Sequence, residues 1–186
     1  MEGETVTGVT TMMTDRGLDP GDILLKREVP ILPGETAEEL TARLAPIGAE
    51  LLIETIRRLE AGNCPRAKQN EAEASYFPML KKEMGDIDWT MPAEKIVNLV
   101  RGLTPWPGTC FTWGEGETVK VWKAETVENP GLEPGKIITA DSKQGLVIAT
   151  GENAVRVIEL QAPGGKRMNA KDYLRGHPVS YTAVNG

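Results

Sequence analysis

Apolar residues change their spacing along the chain, and each change marks a predicted element. Residues 5–13, TVTGVTTMM, are β-branched and apolar and predict a strand. Ile23 to Val29 predicts a second. Between them, residues 14–22 read TDRGLDPGD, dense in Asp, Gly and Pro. Pro20-Gly21 suits the centre of a type II turn, because Pro presets φ and Gly accepts positive φ. The two strands can pair across this loop. Thr36 and Glu39 then form a capping box. Leu40, Leu44, Ile47, Leu51 and Leu59 follow at helical spacing. Pro46 interrupts that run and predicts a kink or a break into two helices. Ala61-Gly62 supplies the stop.

Residues 63–86 show no clear period and read as a linker. Pro92 to Gly102 predicts a short helix, with Pro92 near its first turn and Gly102 ending it. After Thr104-Pro-Trp-Pro-Gly108 the pattern becomes short strands: TCFTWG, TVKVWKAETV, GKIITADS, GLVIATG and AVRVIELQ, separated by turn residues. Five such strands suit a small all-β OB-like barrel. Two strands and one helix cannot close a core alone, so residues 1–62 read as an α/β fragment, the tail of a larger domain. The expected organisation is therefore 1–62, a linker 63–86, and a barrel domain 87–186.

Composition narrows the function classes. The 186 residues are 40% apolar and 26% charged, a globular balance able to bury a core. No apolar run approaches the roughly 18 residues of a membrane helix, so no membrane role is expected. The first ten residues lack the basic and apolar regions of a secretory signal. Cys64 and Cys110 lie far apart and form no CxxC, which points to a cytoplasmic protein. His177 is the single histidine, so no zinc site and no metal are expected. The net charge is −6. Residues 1–65 carry 6 basic against 12 acidic side chains, and residues 66–186 carry 15 of each. Bulk attraction to DNA is thereby excluded, while a local basic stripe is not.

Few residues carry candidate chemistry. Asp19, on a tight loop between two strands, can position a water or orient a histidine. Gly164-Gly165-Lys166-Arg167 is a glycine-plus-basic turn of the kind that cradles phosphate or simply closes a hairpin. Trp89, Trp106, Trp113 and Trp122 cluster in sequence, and most are expected in the core of the second domain. Lys81, Lys82, Lys120, Lys123, Lys166 and Arg167 are candidate phosphate contacts. His177, before Pro178, reads as extended terminal chain without a catalytic role.

The ordered set Thr7-Gly-Val-Thr10, Gly17-Leu-Asp-Pro-Gly-Asp22, Ile87-Asp-Trp89, Pro105-Trp-Pro-Gly108, Lys120-Val-Trp-Lys-Ala124, Leu160-Gln161, Gly165-Lys166-Arg167-Met168 and Asp172-Tyr-Leu-Arg-Gly176 resembles the methionyl-tRNA formyltransferase family. The resemblance implies a Rossmann-like formyltransferase domain, a linker and an OB-like barrel. It implies transfer of a formyl group from 10-formyltetrahydrofolate to the amino group of initiator methionyl-tRNA. The family's catalytic trio is an Asn and a His from an Asn-x-His segment plus the Asp of this loop, which maps onto Asp19. Asp15, Arg16, Gly17 and Leu18 would line the pterin through backbone groups. No Asn-x-His occurs in these residues, so Met1 reads as an internal methionine of a longer protein and the chain by itself is expected to be inactive. The rivals are a sugar-nucleotide formyltransferase, which shares the Asp loop, and a free-standing RNA-binding module. PWPG and KVWKA favour the tRNA enzyme.

Overall fold

The computed structural model describes every residue except Leu18, Glu115 and Gly186. The chain divides into two compact units, Glu4–Met79 and Met1–Gly3 with Leu80–Gly186.

In the first unit, strands β1 (Val6–Met12) and β2 (Ile23–Pro30) pair antiparallel, with Val6 opposite Pro30 and an irregularity at Thr11/Met12. Helix α1 (Ala37–Glu60) lies on them. Its capping box forms as expected: Thr36 accepts from the Glu39 N–H, and the Glu39 side chain accepts from the Thr36 N–H. Gly62, left-handed at φ 68°, ends it. Pro46 does not break the helix, which runs unbroken through it. Proline removes one hydrogen bond, to the Ala42 carbonyl. Both residues are exposed, so water can take that carbonyl. A relay of hydroxyls ties the layers together. The Leu25 N–H donates to Thr11 Oγ1 at 3.2 Å, Thr11 Oγ1 lies 2.8 Å from Thr55 Oγ1, and Thr55 donates to the Leu51 carbonyl at 2.7 Å. Since the Thr55 proton goes to Leu51, Thr11 is the donor between the two hydroxyls.

The loop 14–22 differs from the expected turn. Among its described residues, Gly17 (φ 125°) and Asp19 (φ 54°) are left-handed. Gly21 is needed for space: a Cβ there would lie 1.7 Å from the Met13 carbonyl oxygen. The aperiodic stretch is anchored beside β2, where Ile23 and Ala67 exchange backbone hydrogen bonds of 2.8 and 2.9 Å.

In the second unit, α2 (Ala93–Leu103) buries Ala93, Ile96, Val100 and Leu103, one face at helical spacing. Gly102 sits inside this helix, not at its end; a Cβ there would meet Met1 Cγ at 2.5 Å. The five expected strands are β3 (Thr109–Trp113), β4 (Glu117–Val127), β5 (Ile137–Asp141), β6 (Gly145–Ala149) and β7 (Ala154–Gln161). Three pieces without a sequence signal follow: β8 (Met168–Asn169), α3 (Ala170–Gly176) and β9 (Val184–Asn185). The strands form a curled antiparallel sheet in the order β5-β6-β7-β4-β3-β9, with β8 beside β7. Lys136 and Ala183, at the outer ends of that order, form an isolated antiparallel bridge.

The register of the central pair, β4 and β7, shifts at Lys123. Val121 faces Leu160 and Ala124 faces Val157, yet Lys123 faces Glu159. Val121, Val157 and Leu160 belong to the core and Ala124 packs against it, so both strands step three positions, not two, from one inward-facing residue to the next. Trp122 and Lys123 consequently lie together outside it. Trp89, Phe111 and Trp113 fill the core edge to face, at centroid distances of 5.7 and 5.5 Å. Among the described residues no helix is long and apolar enough to cross a membrane.

Candidate functional site

Two places hold the residues singled out by sequence. The first is the loop before β2. Asp19 is exposed and left-handed, a conformation that Asp tolerates better than most residues. Asp15 is also exposed, and its Oδ1 accepts the Arg16 N–H at 2.7 Å. Arg16 and Gly17 are exposed beside it, and Leu18 lies outside the described residues. Asp15 and Asp19 line a cavity of 740 Å3 together with Asp22, Lys26, Lys68 and Gln69. Gln69 is a residue that sequence reasoning misses. Its Nε2 donates to the carbonyls of Asp19 (2.6 Å) and Gly21 (2.9 Å), fixing the loop from the aperiodic segment. Asp22 is visible in the GLDPGD string, and its carbonyl accepts from the Met13 N–H at 2.9 Å. A carboxylate held on so constrained a backbone can accept a proton or hold a water in one place. Among the described residues no group of His, Cys, Asp and Glu could hold a metal ion.

The second place is on the second unit. Lys81 and Lys82 are exposed at the start of a 3-10 turn, Lys82–Gly85. Burial pushes the Cys110 thiol up from its ordinary value. The hydrogen bond it donates to Asp86 Oδ1 at 3.4 Å pushes the same way. The positive charges of Lys120 and Lys82 pull it the other way. Lys120 Nζ also lies 6.0 Å from the Trp122 ring centroid, and the Arg167 guanidinium lies 5.1 Å from it. Arg167 donates to Glu159 at 2.5 Å. Lys123 is exposed opposite Glu159. Lys166 is exposed in the loop at Gly164-Gly165 and lines a separate cavity of 320 Å3 with Glu117, Tyr173 and His177. The structure thus brings Lys120 and Arg167 together around Trp122.

The tryptophans divide. Trp89 and Trp113 are core, Trp122 is partly buried, and Trp106 is 61% exposed. His177 stacks on Tyr173, with centroids 4.4 Å apart, at the end of α3.

Residues 79–178 match the family model for the formyl transferase C-terminal domain, and residues 1–56 match the model for formyl transferase. A methionyl-tRNA formyltransferase from Caldanaerobacter subterraneus subsp. tengcongensis is 47% identical over 180 residues, covering 96% of this chain and 57% of that protein. The chain therefore spans a little over half the length of that curated relative. HypX from Aquifex aeolicus, solved in complex with tetrahydrofolic acid, is similar with a TM-score of 0.64 at 18% identity, over 98% of this chain and 34% of that one. A methionyl-tRNA formyltransferase from Clostridium thermocellum is similar with a TM-score of 0.52 at 23% identity, over 80% of this chain and 59% of that one. At these identities the structural likeness speaks for the fold.

Proposed function

We propose a function from one premise: the chain belongs to the formyl transferase family. It serves a methionyl-tRNA formyltransferase, which moves a formyl group from 10-formyltetrahydrofolate to the amino group of initiator methionyl-tRNA. The observation that carries this reading is the 47% identity to an enzyme of that name, which extends across both units. Attack of the amine on the formyl carbon creates an oxyanion and a cationic nitrogen. Asp19 keeps the histidine of an Asn-x-His segment correctly charged and holds a water that relays the proton. Donors from that segment, which the 186 residues do not contain, stabilise the oxyanion. The backbone of Asp15, Arg16, Gly17 and Leu18 lines the pterin.

The RNA side falls to Lys81, Lys82, Lys120, Lys123, Lys166 and Arg167. The same proposal takes residues 1–62 as catalytic-domain tail, 63–86 as linker and 87–186 as an OB-like barrel. The Lys136–Ala183 bridge between the outer strands supports closure. The setting is cytoplasmic, without membrane, DNA or metal.

The test joins this chain behind the preceding portion of the Caldanaerobacter relative and assays folate-dependent formylation. The fusion is expected to formylate methionyl-tRNA, while the 186 residues alone stay at background. A folded fusion that leaves methionyl-tRNA untouched and instead formylates an amino sugar nucleotide would overturn the proposal.

A further inference from the structure

We infer that Trp122, flanked by Lys120 and Arg167, is a stacking platform for an unpaired base of the bound RNA. This rests on the reading that the chain binds tRNA and names a residue outside the lysine and arginine contacts. The argument begins with where the indole sits. The matched three-residue steps of β4 and β7 take Trp122 out of the core, unlike Trp89 and Trp113. Part of the indole is thus open to solvent, with its body on the sheet.

The ring is also pre-oriented. Its Nε1 donates to Gln161 Oε1 at 3.1 Å, and Gln161 Nε2 in turn donates to the Gly165 carbonyl at 3.0 Å. A ring fixed by its polar edge loses little freedom when a base lands on its face. Two cations lie beside it, Arg167 at 5.1 Å and Lys120 at 6.0 Å. The Arg167 side chain is 47% exposed and held by Glu159 alone among described acidic groups. It can leave the ring for a phosphate and yield the face to a base. Lys123 and Lys166 add positive charge nearby in sequence and register, with Glu159 opposite Lys123 and Glu117 lining the cavity of Lys166. Residues 66–186 are neutral in total, so a local cluster of cations and not bulk charge is what an RNA strand would find. Aromatic rings beside basic groups bind single strands in this way, the cations tracking phosphates and the ring taking a base.

The experiment measures binding of the full chain to unmodified initiator tRNA across a salt series. Trp122→Leu keeps apolar bulk on the sheet and removes the π face. It is expected to weaken binding about fivefold or more without altering the salt slope. Trp122→Phe is expected to stay within about threefold of the parent. Lys120→Ala and Arg167→Ala are expected to lower the slope by about 0.7–0.9 each. A Trp122→Leu protein that melts like the parent and binds within twofold of it would reduce the indole to sheet packing, leaving the tRNA reading intact. A parent chain that binds no tRNA would overturn both.

Discussion

The side-chain amide of Gln69 donates to the main-chain carbonyl of Asp19 at 2.6 Å, across 50 positions of sequence. The same nitrogen reaches the Gly21 carbonyl at 2.9 Å. Gly21 is itself pressed against the Met13 carbonyl, so the loop is clamped on both sides of Pro20. The Asp19 carboxylate is thus carried by a backbone that is fixed while its own side chain stays exposed to the cavity.

In the fusion enzyme, Asp19→Ala is expected to lower kcat by about 10²–10⁴-fold while the KM for tRNA changes little, as for a group used in the transition state. Gln69→Ala is expected to lower kcat more modestly, on the order of tenfold, by loosening the loop. The double variant should be no worse than Asp19→Ala, because Gln69 acts through that residue. Steady-state kinetics of the three proteins check this. A folded Asp19→Ala enzyme within threefold of the parent would make Asp19 a turn residue.

Replacing Lys81 and Lys82 by Ala is expected to flatten the plot of log affinity for tRNA against log salt, by about 0.7–0.9 for each phosphate no longer neutralised. The melting temperature should not move, since both side chains are exposed and neither forms an ion pair among the described residues. Filter binding over a salt series reads the slope. No change would assign the phosphate contacts to Lys120 and Lys166.

Thr55→Val removes the middle of the hydroxyl relay. It is expected to cost about 1–3 kcal/mol, because the Thr11 hydroxyl is left without its acceptor in a partly buried place. Thr11→Val with Thr55→Val should cost less than the sum of the single changes. Urea unfolding of the four proteins measures the coupling, and strict additivity would show that the two hydroxyls do not depend on each other.

Cys110 should alkylate slowly at pH 8 and show a rate profile displaced to higher pH than an ordinary thiol. Burial is the first cause and the hydrogen bond to Asp86 the second. Asp86→Asn is expected to move the profile down, because the carboxylate no longer disfavours the thiolate. The folded state prefers the protonated thiol. Its contribution to stability is therefore complete below the ordinary thiol value and is lost as pH rises through the raised one. Iodoacetamide kinetics followed by peptide mass analysis separate Cys110 from Cys64.

Local signals are legible in the sequence and tertiary ones are not. The Thr36/Glu39 box, the Gly62 stop and the five main strands follow from residues within a few positions of one another, and each is present. Gly21 looks like a turn glycine because Pro precedes it, but its role is set by Met13, which approaches only in the folded loop. Pro46 suggests a break, yet one missing hydrogen bond facing water is small against a helix of 24 residues packed on two strands. Strands β8 and β9 have two residues each, too short for any alternation to register. Asp19 and its neighbours stand out by Gly and Pro. Gln69 lacks any such mark, because a side chain reaching back across the unit leaves no period. Trp122 resembles the core tryptophans by type, and only the stepped strands distinguish it.

Those stepped strands also set what length changes the second unit could survive over generations. Val121 to Ala124 and Val157 to Leu160 are equal spans on paired strands, and the partnership resumes unchanged at Glu125 and Arg156. A gene that dropped one codon between Val121 and Ala124 would restore simple alternation in β4 and leave β7 one residue too long beside it. Dropping a second codon, between Val157 and Leu160, would bring the strands back into step. Chains descended from this one should therefore lose or gain residues here in both strands or in neither.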